Sequence, residues 1–195
     1  GAEADFTFLL AWHFPNRTPQ WCGWTAPKGE NNAIIGNHYC QRFADAWAAA
    51  EHAAANLPVL EKRMRQFLAA MRESTLPPPV KEAAMANVST LATQVCFRTA
   101  DGRFRGFEGA SDNSGCCFGN CSHVWNYEAV TQHLFPSLAR SQREAGFETA
   151  EKLDGMLPIR IQLPEGKQSP PGMTAIDGTM GQIIRTYLDW RLSGD

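Results

Sequence analysis

Apolar residues crowd the start of the chain, where Phe6, Phe8, Leu9, Leu10 and Trp12 run up to Pro15-Asn16-Arg17. Aromatic and aliphatic content closed by a turn signal predicts one β-strand over residues 6–14. A single strand is not a sheet, so its partners are expected in polypeptide outside this sequence. Residues 18–36 carry Trp21, Trp24, Pro19, Pro27 and three glycines without a period, and read as a linker.

From Asn37 the period changes to 3.6. Phe43, Trp47, Ala50, Ala54 and Leu57 share one helical face, and Leu57-Pro58 predicts a break. Leu60, Met64, Phe67, Leu68 and Met71 form a second stripe. Pro77-Pro78-Pro79 is a stiff stop, after which Val80, Ala84, Val88 and Leu91 outline a third helix. Short connections between them favour antiparallel neighbours. Residues 94–98 and 103–107 then alternate at period two around Thr99-Ala100-Asp101-Gly102, which predicts a β-hairpin. Residues 108–122 are rich in Gly, Ser, Asn and Cys and read as a loop. Helical pattern returns at Val124, Tyr127, Val130, Thr131 and Leu134, restarts at Pro136, and resumes over 177–192 after a loop at 154–175.

Charge changes the picture by exclusion. With 18 basic and 20 acidic side chains in 195 residues the net charge is −2, which gives no field for nucleic acid or an anionic membrane. The uncharged stretches are broken by Pro, Gly, Asn or His before about 20 residues, too short for a bilayer span. The chain opens on Gly-Ala-Glu, has no signal-peptide layout, and ends at Ser193-Gly194-Asp195 directly after a patterned helix. It is therefore expected to be a piece of a larger protein, with its compartment open.

Six cysteines are too few for a disulfide scaffold. Cys117, Cys121 and His123 form a Cys-x3-Cys-x-His cluster that leaves three readings open: zinc ligands, a disulfide, or packed thiols.

Glu108 stands apart among the acids. It follows the aromatic strand residues Phe104 and Phe107 and precedes Gly109, so its carboxylate falls where a strand meets a flexible loop. Asp112, His123, Trp125, Asn126 and Tyr127 lie within twenty residues of it. Carboxylates and amides bind sugar hydroxyls and aromatic faces stack on pyranose rings. Trp125 and Tyr127 are equally readable as core residues.

Gly102-Arg103-Phe104-Arg105-Gly106-Phe107-Glu108-Gly109, with Gly115-Cys116-Cys117, the run Cys121-Ser122-His123-Val124-Trp125-Asn126-Tyr127-Glu128 and Leu134-Phe135-Pro136-Ser137-Leu138, resembles bacterial members of glycoside hydrolase family 116. That family includes β-glucosidases and the non-lysosomal glucosylceramidase. Asn37-His38-Tyr39, Arg42-Phe43-Ala44-Asp45-Ala46-Trp47 and the stretch from Ala175-Ile176-Asp177-Gly178 to Tyr187-Leu188-Asp189-Trp190 are similar to further family segments.

The resemblance implies a mainly α chain. Residues 1–17 would be the last strand of an N-terminal β-sandwich, 18–36 a linker, and 37–195 the opening, incomplete portion of an (α/α)6 barrel. It implies a retaining mechanism with Glu108 as the catalytic nucleophile and an acid/base Asp beyond residue 195, so that these residues alone have negligible glycosidase activity. His123, Trp125, Asp112, Arg160 and Asp177 are the implied substrate contacts, His123 and Arg160 standing where the family's usual sugar contacts differ. The expected partners are a carbohydrate or glycolipid substrate and the rest of the catalytic domain, with no cofactor and no metal. Two other functions fit: a carbohydrate-binding module of this fold without catalysis, and a small helical protein organised by a Cys/His zinc site.

Overall fold

The computed structural model describes residues 3–20, 33–113, 115–116, 119–125, 130–161, 163–165 and 174–195. The described chain is mainly helical and carries two small antiparallel hairpins.

The first helix, α1, spans Ala46–Glu73. Its N-cap is Asp45, whose carboxylate accepts the Ala48 amide at 2.7 Å. The helix thus begins later than the periodicity from Asn37 predicted, and His38–Gln41 is a separate 3-10 turn. Asn37 is buried because its side chain is used elsewhere: it donates to the Phe14 carbonyl and accepts from Arg17 Nε, both at 2.7 Å. The predicted break at Pro58 is also overturned, since α1 runs through it. Proline removes one backbone bond, but strong helix formers without glycine flank it on both sides. The Glu61 and Arg65 side chains add an i,i+4 pair beyond it.

The stretch 6–14 is extended and joins no ladder among the described residues. Phe6, Phe8 and Leu10 are exposed along it. Its end is held instead by side chains: the Tyr39 hydroxyl accepts the Phe14 amide at 2.7 Å, and His13 bonds the Phe43 carbonyl at 2.9 Å.

Helix α2 (Pro78–Val88) follows as predicted. Strands β1 (Cys96–Arg98) and β2 (Phe104–Gly106) pair with Phe97 opposite Arg105. Asp101 closes their turn by accepting from the Thr99 hydroxyl at 2.6 Å and the Arg103 amide at 3.0 Å, while Gly102 takes the left-handed φ of 89°. The expected loop after Phe107 contains a second hairpin, β3 (Gly109–Ala110) with β4 (Gly115–Cys116). Helices α3 (Ser122–Trp125), α4 (Val130–Leu134), α5 (Pro136–Glu151) and α6 (Ile176–Ser193) complete the order. Pro136 occupies the first turn of α5, where its missing N–H costs nothing, and Gly194 caps α6 at φ 77°.

Two packed regions result. Phe97, Phe107 and Leu163 form one, with Ile35 and Val95 against them. In the other, Trp125 stands edge-on to Phe104 with ring centroids 5.6 Å apart and lies over Gly106. Around it runs a buried polar ladder. Gln132 on α4 donates to the Arg185 carbonyl at 2.7 Å and to Asp189 at 3.0 Å, Asp189 on α6 pairs with Arg143 on α5, and Arg185 donates to the Trp125 carbonyl. Buried Arg105 on β2 pairs with Glu165, which also binds Arg103 at 2.7 Å. Burial, followed by the nearby Arg185 and Arg140, lowers Arg143 to about 10.

Candidate functional site

Phe107 enters the core and the next residue, Glu108, leaves the strand on the other side, its amide donating to the Cys116 carbonyl at 3.2 Å. Across from it the chain at 159–161 is laid onto 119–122: Ile161 N–H donates to the Gly119 carbonyl and Ser122 N–H to the Ile159 carbonyl, both at 2.8 Å. Gly119 is required there. A Cβ on it would sit 1.8 Å from the Ile161 carbonyl oxygen, and its φ is 70°. These backbone bonds bring Arg160 to Glu108.

The Arg160 Nη2 to Glu108 Oε1 separation is 3.7 Å, an ion pair beyond hydrogen-bond reach, with the Glu108 side chain 27% exposed and that of Arg160 29%. The Cys121 thiol hydrogen-bonds Glu108 as well. Burial pushes the Cys121 pKa up, and the bond to Glu108 adds to that, so the thiol holds its proton beside the carboxylate.

Two residues on from Cys121, His123 projects from α3. Its Nδ1 lies 2.5 Å from Asp177 Oδ2, and the two side chains are 53% and 46% exposed. Asp177 is in the first turn of α6, where a carboxylate also complements the helix dipole. Gly178 permits this approach, because a Cβ there would lie 2.4 Å from the Ser122 hydroxyl. His123 and Asp177, far apart in sequence, are thus joined.

The other two expected contacts lie elsewhere. Trp125 is 5% exposed, with its ring in the core. Asp112 lines a cleft of about 1050 Å3 whose lining does not include Glu108. Asn126 and Tyr127 lie outside the described residues, as does Cys117 of the proposed Cys/His cluster. Cys40, Cys96, Cys116 and Cys121 form no disulfide. Among the described residues no group of three or more His, Cys, Asp or Glu converges as a metal site, and no helix is long and apolar enough to cross a membrane.

Sequence reasoning assigned Cys121 to a possible metal cluster and missed it as the partner of Glu108. Its only signal was position, directly before the helix that carries His123. A direct measurement follows from the raised thiol pKa. At about pH 8 iodoacetamide modifies exposed Cys116 first, while Cys121 resists until the pH rises above the ordinary thiol range or the chain unfolds, because only thiolate attacks. Peptide mapping of the adducts reads the order, and equal rates at both sites contradict the buried position.

The chain matches no protein-family model, and no curated protein matches it.

Proposed function

We propose that this chain supplies the nucleophile, Glu108, of a retaining glycosidase acting on β-glucosides or related glycosides and glycolipids, as part of an (α/α)6 barrel. The reading is supported above all by the setting of Glu108. A carboxylate just past a strand end, its side chain 27% exposed, has a guanidinium on one side and a protonated thiol hydrogen-bonded to it on another, and these favour one orientation. Fixed aim is what an attacking oxygen needs. The Arg160 cation balances its charge.

A retaining enzyme also needs a second carboxyl about 5 to 5.5 Å away to protonate the leaving oxygen. The family likeness assigns that role to an Asp outside these 195 residues. In this reading His123 and Asp177 bind sugar hydroxyls, the imidazole and the carboxylate being groups that hydrogen-bond hydroxyls. Arg160 supplies a further polar contact. Trp125 acts as support, since its ring packs on the strand that ends at Glu108.

The test separates the nucleophile from the acid. A 2-deoxy-2-fluoro-β-glucoside carrying dinitrophenolate loses its leaving group without protonation, so a nucleophile alone forms the glycosyl-enzyme ester. The expected result is release of dinitrophenolate with an adduct mapped to Glu108 by peptide mass, and no adduct in Glu108→Gln. An adduct on any other residue, or none at all, overturns the assignment.

A further inference from the structure

The cleft that holds Asp112 is the largest cavity among those described, about 1050 Å3, at the upper end of small-molecule sites. Three pieces of chain enclose it: the extended stretch 12–18, the turn at 37–42, and residues 92–98 leading into β1. Its composition differs from the chain as a whole. Among the described residues Arg17, Arg42 and Arg98 line it with one carboxylate, Asp112, in a chain whose net charge is −2.

The arginines are held by neutral groups and rings. The Arg17 guanidinium lies 4.0 Å from the Phe97 ring centroid, and its Nε donates to Asn37. Arg98 donates Nε to the Gly102 carbonyl at 2.9 Å. The Arg42 guanidinium lies 5.3 Å from the Phe43 ring. Neither Arg42 nor Arg98 forms an ion pair among the described residues. Planar guanidinium forks of this kind match phosphate oxygens.

The same cleft offers flat apolar surface. Trp12 lines it while half-exposed, and Tyr39 lines it edge-on to His13. Burial raises the Tyr39 pKa, so its hydroxyl, which accepts the Phe14 amide, stays protonated. Arginines beside an exposed indole define a ligand with two ends, one anionic and one planar.

We propose that this cleft binds a phosphate monoester carried on a flat ring system, of about the size of a nucleoside monophosphate, with Arg42 and Arg98 on the phosphate and Trp12 on the ring. The site is separate from Glu108 and does not depend on its role.

Calorimetric titration of the 195-residue chain with adenosine monophosphate tests it, with adenosine and inorganic phosphate as the two half-ligands. The nucleotide is expected to bind at least about tenfold more tightly than either half, and less tightly as salt is raised. Arg42→Gln and Arg98→Gln each weaken the nucleotide by about fivefold or more and leave adenosine unchanged, whereas Trp12→Ala weakens nucleotide and adenosine alike. Thermal melts show which variants fold. If Arg98→Gln does not, exposed Arg42 carries the comparison. The proposal is overturned if adenosine binds as well as the nucleotide, if the folded arginine variants bind the nucleotide like the native chain, or if no heat is seen at millimolar ligand.

Discussion

Asp189→Asn lowers the stability of the fold by about 3 to 5 kcal/mol, the cost of leaving a buried cation without its counter-charge. Arg143, itself buried, pairs with Asp189, and its nearest other charges include the cations Arg185 and Arg140. Asparagine keeps the shape and the bond from Gln132 but removes the charge. A domain stable by roughly 5 to 15 kcal/mol loses a large share of that margin. The midpoint of urea unfolding measures the loss. Replacing both partners, Arg143→Met with Asp189→Leu, recovers most of it, because the cost lies in the stranded charge and not in the absence of a bond. A loss below about 1 kcal/mol for the single variant refutes the assignment of Asp189 as the partner of Arg143.

Gly106→Ala is the second large effect, and its cause is steric. The added Cβ would lie 1.8 Å from Trp125 Cζ2 and 2.2 Å from Cε2, so the indole must leave its place against Phe104. Overpacking of a core costs about 1 to 3 kcal/mol and more where rigid groups collide, as strand backbone and an indole do here. The strand also ends two residues before Glu108, so the displacement reaches the candidate nucleophile. The double variant Gly106→Ala with Trp125→Leu is expected to unfold at higher denaturant than Gly106→Ala alone, since a smaller side chain gives way. A non-additive cycle of that sign locates the clash. Strict additivity removes it.

Some of this was legible in the residues. Asp101-Gly102 between alternating segments marked the β1–β2 hairpin, Pro136 marked the start of α5, and Gly194 marked the end of α6. These are local signals, carried by one or two residues whose backbone preferences allow few alternatives. Pro58 misled for the same reason: a local rule predicted a break, and the flanking helix formers outweighed it. Residues 6–14 have strand composition and an extended backbone, and their pairing depends on a neighbour that none of the described residues supplies.

The candidate site was legible in parts. Glu108 was visible from its place between an aromatic strand and a glycine. Its meeting with Arg160 was not, because that contact depends on Gly119 receiving residues 159–161. Nor does spacing alone tell a buried arginine from a surface one. Arg105 alternates with Phe104 and Gly106 in a strand expected to have one wet face, yet all three residues are buried. Trp125 shows the converse, an aromatic near the site whose ring Gly106 accommodates in the core.

The fork at Glu165 has a dynamic consequence. One carboxylate holds Arg103 and Arg105, and Arg103 also grips Glu148 on α5 at 2.7 Å. Lifting the segment that carries Glu165 away from the hairpin would therefore take a counter-charge from buried Arg105, and such openings are rare. The amides around Glu108 are therefore expected to exchange together with the β1–β2 hairpin as one cooperative unit, which hydrogen exchange followed residue by residue reads out.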